Sequence, residues 1–335
     1  MPIDIGIDLG TANSLVAVKG KGIVVSEPSV VGLDRVTHKV LKVGNEAFEM
    51  AGKTPENIVV IRPLKSGVIA DDYTTEIMVK YLISKAKAHV GFSVFPQRLR
   101  VVVGVPTGAT PVERRAVEDA CRNAGARDVW VVQEPLAAAV GAGLPITEPR
   151  GNMIVDVGGG TTEAAVISLG GLVSWKSVPV AGDAFTERII EFVKSEYNLF
   201  IGERTAEMIK INIGSAYPME KMQMEVTGRD LLTGLPKRIT ISSDAVRDAF
   251  KDLLGSIVDA VKGTLEATPP ELIADIMETG FYLTGGGSLL KGLDRLLSER
   301  TGVPVHTVED PLTAVTRGAG VIAGNMHLLK EILQA

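Results

Sequence analysis

Ile7-Asp8-Leu9-Gly10-Thr11-Ala12-Asn13-Ser14 and Val155-Asp156-Val157-Gly158-Gly159-Gly160-Thr161-Thr162 align without a gap. Each copy runs apolar residue, aspartate, apolar residue, glycine, small residues, hydroxyl. Apolar runs flank both, Ile3 to Ile7 and Leu15 to Val18 for the first, Met153 to Val155 and Ala164 to Ile167 for the second. Short apolar runs broken by a glycine turn predict two β-hairpins. Glycine lets the main chain approach an anion, and successive N–H groups in such a turn form a concavity for phosphate oxygens. Two such turns facing each other would grip a polyphosphate from both sides. Polyphosphate is bound with Mg²⁺, which keeps most of its waters and takes one or two carboxylates. Asp8 and Asp156 are the candidates for that role; the alternative for each is an Asx hydrogen bond that caps its own turn.

The 335 residues exceed the usual size of a single core and favour two domains, in agreement with the duplicated turn. With 45% hydrophobic and 22% charged residues, this is the composition of an ordinary soluble globular chain. A formal charge of -5 without a long Lys/Arg run leaves no electrostatic footprint for nucleic acid. The one cysteine, Cys121, falls on the apolar face of an expected helix, which fits a core thiol in a reducing cytoplasm. The N-terminus reads directly as a strand, so no signal peptide is expected. No apolar run reaches the ~18 residues a spanning helix needs, and any membrane contact is expected to be peripheral.

Thr110-Pro111-Val112-Glu113 is a capping box with proline at the first helical position, and Gly125 closes the helix it opens. Strands Leu99 to Val105 and Val129 to Val132 flank that helix, a unit typical of a sheet with helices on its faces. Apolar residues from Val246 to Leu265 predict one long amphipathic helix, stopped by Pro269-Pro270. Phe281 to Leu290 reads as strand, glycine turn and helix start. Placed behind two phosphate turns, Gly285, Gly286, Gly287 and Ser288 would suit the nucleoside end of a nucleotide; the alternative is a plain tight connection. A P-loop signature is absent, and Gly6 to Gly10 lacks the dinucleotide-binding spacing.

Glu134 ends a strand and Pro135 opens a helix of small residues reaching Gly143. A carboxylate so placed could orient a water for attack on a terminal phosphate, or simply complement the helix dipole. The four histidines, His38, His89, His306 and His327, are scattered and match no metal-ligand spacing or catalytic triad.

These segments resemble, in order, the phosphate 1, connect 1, phosphate 2, adenosine and connect 2 motifs of the superfamily of actins, DnaK-type chaperones and sugar kinases. Connect 2 would be Asp310 to Gly320. Within that superfamily the chain is most similar to the MreB family of bacterial actins, essentially end to end. Asp8 to Asn13, Gly22 to Pro28, Asp156 to Glu163, Gly202 to Glu207 and Thr284 to Leu290 carry the similarity. The resemblance implies an α/β, actin-like ATPase fold of two duplicated ribonuclease H-like domains with nucleotide between them. Domain I would comprise 1–142 plus 318–335 with a small subdomain at about 33–66; domain II would be 143–317 with a small subdomain at about 182–243. Hinges would lie near Glu134 to Gly143 and Pro311 to Gly320.

The family also implies ATP, with GTP as the alternative. Asp8 and Asp156 would hold hydrated Mg²⁺. Gly10, Thr11, Ala12, Asn13, Gly158, Gly159, Gly160 and Thr161 would cradle phosphates, and Glu134 would position the water. Glu207 and Lys210 would lie along sugar and base above Gly285 to Ser288. Hydrolysis would be slow and timed by polymerisation of the chain with itself, as a double protofilament on the inner membrane surface, among membrane-bound cell-shape and cell-wall synthesis proteins. Phe92, Val94 and Phe95 resemble the family's apolar membrane loop, with Arg98 and Arg100 placed to meet anionic lipid; the alternative is that both phenylalanines cover the sheet edge. A plasmid-positioning filament would lack such a loop. A small-molecule kinase would need an acceptor pocket with its own base, and no candidate beyond Glu134 is apparent. A chaperone would need a peptide-binding domain beyond Ala335.

Overall fold

The computed structural model describes residues 2–65, 67–90 and 98–334. Two five-stranded sheets of one topology organise them. In the first, Ile3–Leu9, Asn13–Val18 and Gly22–Pro28 form an antiparallel meander, and Leu99–Val105 and Asp128–Gln133 extend it in parallel on the far side of Ile3–Leu9. In the second, Asn152–Val157, Thr162–Ser168 and Gly171–Val178 form the meander, extended in parallel by Phe281–Thr284 and Val305–Thr307. Both expected hairpins therefore form, at equivalent places in equivalent sheets.

Strand alternation divides the core. On the first sheet Ile5, Ile7, Val101 and Val103 face outward onto the helices Asp72–Val90 and Pro111–Asn123, together with the fully buried Cys121. On the second, Met153, Val155 and Val157 face a larger cluster around Phe185, Phe250 and Phe281. The residues between, Val102 and Val132 of one sheet and Ile154, Ala165 and Ile167 of the other, meet in a third cluster with the helices Glu134–Gly141 and Ala314–Gly324. That shared core joins the halves. Two small antiparallel sheets lie outside the main ones: Val31–Asp34 with Val40–Val43 and Ile58–Ile61, and Leu199–Phe200 with Gln223–Asp230 and Pro236–Ser242.

The capping box at Thr110 forms, with the Thr110 amide donating to Glu113 Oε2 at 2.7 Å and the Glu113 amide to Thr110 Oγ1 at 3.3 Å; Gly125 takes a positive φ just past the helix. Two expectations are corrected. The helix from Val246 to Leu265 is two helices, Ser243–Ala249 and Lys251–Glu266. At the break the Phe250 amide turns to the Arg247 carbonyl, and its ring is buried edge-on to Phe185 with centroids 4.8 Å apart. Packing of one aromatic ring outweighs helical continuity there. Behind the glycines at 285–287 no α-helix starts directly: one 3₁₀ turn, Gly286–Leu289, precedes a helix that begins at Leu293. No helix among the described residues is long and apolar enough to cross a membrane.

The helices Glu134–Gly141 and Ala314–Gly324 cross backbone on backbone. A Cβ on Gly318 would sit 1.7 Å from the Ala137 carbonyl oxygen, and one on Gly141 1.8 Å from that of Ala314. Gly318→Ala is expected to cost about 2–4 kcal/mol, since neither backbone can yield without disturbing the shared core. Gly255→Ala, in a helix with open space around it, should be neutral or stabilise by up to about 1 kcal/mol. Urea unfolding of the two variants against wild type measures both effects.

Candidate functional site

The two glycine turns meet. A Cβ on Gly159 would lie 2.9 Å from that of Ala12, so the turns face each other at contact distance across the cleft between the sheets. Each turn is braced by its own half. Gly158 donates to the Thr161 carbonyl at 2.9 Å, and Ser29 Oγ donates to the Gly10 carbonyl at 2.6 Å while sharing a hydrogen bond with Ser14 Oγ. Thr162, equivalent to Ser14, donates to the Val180 carbonyl at 2.6 Å. These hydroxyls shape the turns and leave their remaining amides for a ligand. Thr11 Oγ1 accepts from the Gly67 amide at 3.1 Å, and its carbonyl accepts from Arg62. The first turn is thereby tied to the segment that follows the small sheet of its half.

Four carboxylates converge beneath the turns. Asp8 and Asp156 end the central strands of the two sheets, Glu134 opens its helix, and Glu163 stands opposite Asp156 in the second hairpin. Burial pushes the Asp8 carboxyl up to about 7, opposed only by a hydrogen bond from the Thr316 hydroxyl. Burial, then the charges of Asp8 and Glu163, push Asp156 up to about 8. Glu134 is raised well above the ordinary carboxylate range by burial and then by Glu163, Asp8 and Asp156. Asp156 Oδ1 is buried without a hydrogen-bond partner. Acids that repel one another, Asp156 buried with an orphaned oxygen and Asp8 and Glu134 half-buried beside it, call for a cation. Among the described residues no three His, Cys, Asp or Glu side chains are arranged to enclose a bare metal. Asp8 and Asp156 are two carboxylates that would suit Mg²⁺, an ion that keeps most of its waters.

The glycines at 285–287 pack against the second turn from behind. A Cβ on Gly285 would lie 2.3 Å from Asp156 Oδ1, and one on Gly287 2.5 Å from Val157 Cγ1; Ser288 Oγ caps back onto the Gly285 carbonyl. The helix Gly182–Tyr197 begins at the same turn, with the Gly182 amide donating to the Gly158 carbonyl and the Asp183 amide to that of Gly159. Lys210 donates to the Gly182 carbonyl at 2.8 Å and pairs with Glu207 at 2.8 Å, while Glu207 accepts from Thr186 Oγ1. Glu207 and Lys210 thus join the same wall as the second turn.

Sequence reasoning gave no role to Glu163, although it ends the Asp156 to Glu163 segment that carries the resemblance, nor to Thr107, Thr316 or Asp183. Asp183 is held above the ordinary carboxylate range by burial, opposed by Arg62 and Lys210. Arg98, half exposed, is paired in two hydrogen bonds with Asp128, at 2.6 and 2.8 Å, and Arg100 is paired with the buried Asp4. These pairs line a hollow of about 300 Å³ with Pro2, Trp130 and Met326, at an edge of the first sheet. Phe92, Val94 and Phe95 lie outside the described residues.

The raised carboxyls give nucleotide-free protein a pH dependence of known sign. A folded pKa above the unfolded value stabilises fully below about 4 and is lost as pH rises through the folded values of about 7 and 8. Asp156→Asn should accordingly raise the thermal midpoint of nucleotide-free protein by several degrees at pH 8.5 and by little at pH 4. Equal gains at both pH values would contradict the assignment.

A family model described as MreB/Mbl protein matches residues 2–331. The chain is 50% identical to the cell shape-determining protein Mbl of Bacillus subtilis (strain 168), over 98% of each chain. It is 52% identical to the cell shape-determining protein MreB of Escherichia coli (strain K12), over 95% of this chain and 92% of that one. Its fold matches the crystal structure of MreB5 of Spiroplasma citri bound to ADP with a TM-score of 0.92 and 36% identity, covering 100% of this chain and 99% of that one. The subunit of a MamK double helical filament shares the fold at a TM-score of 0.81 and 22% identity. Two sheets of one topology, turns that meet over a set of acids, and a match along nearly the whole sequence agree, and the chain belongs to the MreB/Mbl family of actin-like proteins.

Proposed function

We propose that this protein is a nucleotide-dependent filament subunit that hydrolyses ATP slowly and helps determine rod cell shape from the inner face of the cell membrane. The observation that carries the reading is the convergence of Asp8, Asp156 and Glu134 beneath two opposed glycine turns. The turn amides of 10–13 and 158–161 receive the phosphates, and Gly285 to Ser288 with Glu207 and Lys210 receive the nucleoside. MreB5 of Spiroplasma citri, solved with ADP and with AMPPNP, supports adenine as the base; GTP is the alternative substrate. Bound through water to Asp8 and Asp156, Mg²⁺ would neutralise charge on the phosphates.

Glu134 acts on the water. Its carboxylate accepts a hydrogen bond from the attacking water and holds it in line with the terminal phosphate. Burial first, and then the neighbouring acids, disfavour its ionised form, and a cation held nearby would favour it. Without nucleotide and metal the site is electrostatically unready, which suits a slow, assembly-timed reaction.

Domain I is assigned to 1–142 plus 318–335 and domain II to 143–317, with small subdomains near 33–66 and 182–243. The cut at 317 runs through one continuous helix, Ala314–Gly324, as a hinge shared by both halves would. Self-association into a double protofilament follows from the family, and membrane-bound cell-shape and cell-wall synthesis proteins are the partners it implies. Lipid attachment is assigned to Phe92, Val94 and Phe95.

Sedimentation with Mg-ATP, Mg-ADP or no nucleotide, with and without anionic liposomes, tests the reading. Pelleting should depend on nucleotide and increase with lipid; a protein that binds ATP yet stays monomeric throughout would overturn it. Glu134→Ala should bind nucleotide and polymerise, with phosphate release reduced about 100-fold. Replacing Phe92 and Phe95 by Ser should abolish liposome pelleting and leave polymerisation intact.

A further inference from the structure

Among the described residues one ion pair joins the two halves, Arg62 of the first to Glu203 of the second. Arg62 Nη2 donates to Glu203 Oε1 at 2.5 Å. Arg62 lies between Ile58–Ile61 of the small sheet and Leu64–Lys65, and its Nη1 donates to the Thr11 carbonyl at 3.3 Å. The guanidinium is thus anchored on the first glycine turn and reaches across from it. The chain beyond Arg62 meets the other half as well: the Gly67 amide donates to Thr11 Oγ1, and a Cβ on Gly67 would lie 2.8 Å from Thr161 Cγ2 of the second turn.

Glu203 is the first residue of the helix Glu203–Ile213, which Ala206, Ile209 and Ile213 fix in the core of the second half. Four residues on, and so on the same side of that helix, stands Glu207, which pairs with Lys210. Arg62–Glu203 therefore links the first phosphate turn to the wall assigned to the nucleoside. The charge of Arg62 also opposes the burial of Asp183 at the start of Gly182–Tyr197, so the guanidinium faces acids on two elements of the second half. The crossing helices join the halves through apolar core; this pair is a second, polar joint at the turns themselves. Arg62 is 30% exposed and Glu203 64%. An ion pair this wet adds little to stability and is readily made and broken, which suits a gate better than a staple.

We infer that Arg62 and Glu203 form a latch across the mouth of the cleft that sets how long bound nucleotide stays, because escape waits for the pair to part. The inference rests on the reading of the cleft as a nucleotide site, and it concerns release of the ligand, separate from the hydrolytic step. A pair that closes behind its ligand acts on the dissociation rate and hardly on the association rate.

The test uses the full chain below the concentration at which it pellets, loaded with fluorescently tagged Mg-ADP and chased with unlabelled Mg-ADP. It compares Arg62→Gln, Glu203→Gln, the double variant and Arg238→Gln, whose pair with Glu225 lies wholly within the second half. Glu203→Gln should speed release about threefold, with association changed less than twofold. Arg62→Gln should release at least as fast, and the double variant no faster than Arg62→Gln, because one interaction is lost in all three. Raising salt from about 0.05 M to about 0.5 M should bring wild-type release toward that of Glu203→Gln and leave the variants little changed. Arg238→Gln should behave as wild type. Release from Glu203→Gln at or below the wild-type rate overturns the inference, since Arg62 would then act on the phosphates by its own charge; so does a double variant whose effect is the product of the two single ones. A wild-type protein that binds no Mg-ADP overturns the nucleotide reading itself, and the inference with it.

Discussion

The crossing of Glu134–Gly141 over Ala314–Gly324 is the constraint on which the rest depends. Side chains normally hold packed helices 8–10 Å apart. Here Gly141 and Gly318 let the backbones touch, and Gly6 does the same where the second helix lies on the central strand of the first sheet, a Cβ there falling 2.2 Å from the Gly320 nitrogen. Both helices can then bury their remaining faces against both sheets at once. A joint so narrow fixes the halves along one axis and leaves the turns above it to face each other. Glu134 stands at the N-terminus of one of these helices and Thr316, which donates to Asp8, on the other. The joint and the acids beneath the turns are thus built from the same elements.

Electrostatics sets the second constraint. Four acids with no base among them, Asp156 and Glu163 buried and Asp8 and Glu134 half-buried, would be a costly arrangement in a resting protein, and the raised carboxyls record that cost as retained protons. Under the proposed function, a cation and an anion arriving together would remove the repulsion and fill the turns. The empty state is electrostatically frustrated in the way expected of functional sites.

Much of this was legible in the sequence because the duplication repeats its own signals. The Asp-x-Gly turns with flanking apolar runs fixed two hairpins, and the strand end before Pro135 placed Glu134. Capping chemistry at Thr110 gave a helix start to the residue. What stayed hidden was tertiary. The break at Phe250 follows from a ring packing onto Phe185, sixty-odd positions away in sequence and invisible to periodicity. The pairing of Arg98 with Asp128 and of Arg100 with Asp4 depends on parallel strand register, which joins residues far apart in the chain. Local basic character alone shows neither pairing.

Glu163 illustrates the same limit from the other side. Aligned by sequence, the two hairpins look interchangeable, and the pairs Ser14 and Thr162 do equivalent work. Their next positions do not: Leu15 packs at 7% exposure as an apolar residue, while Glu163 is buried as an acid. A duplicated fold tolerates an apolar residue there, so an acid in one copy alone needs a reason specific to that copy. The second turn is the one backed by the glycines at 285–287 and by the Gly182 helix, and it is the one whose strand faces the Thr107 loop. The two copies thus differ where the halves meet: one half supplies the Thr107 donors and the other the carboxylate that they hold.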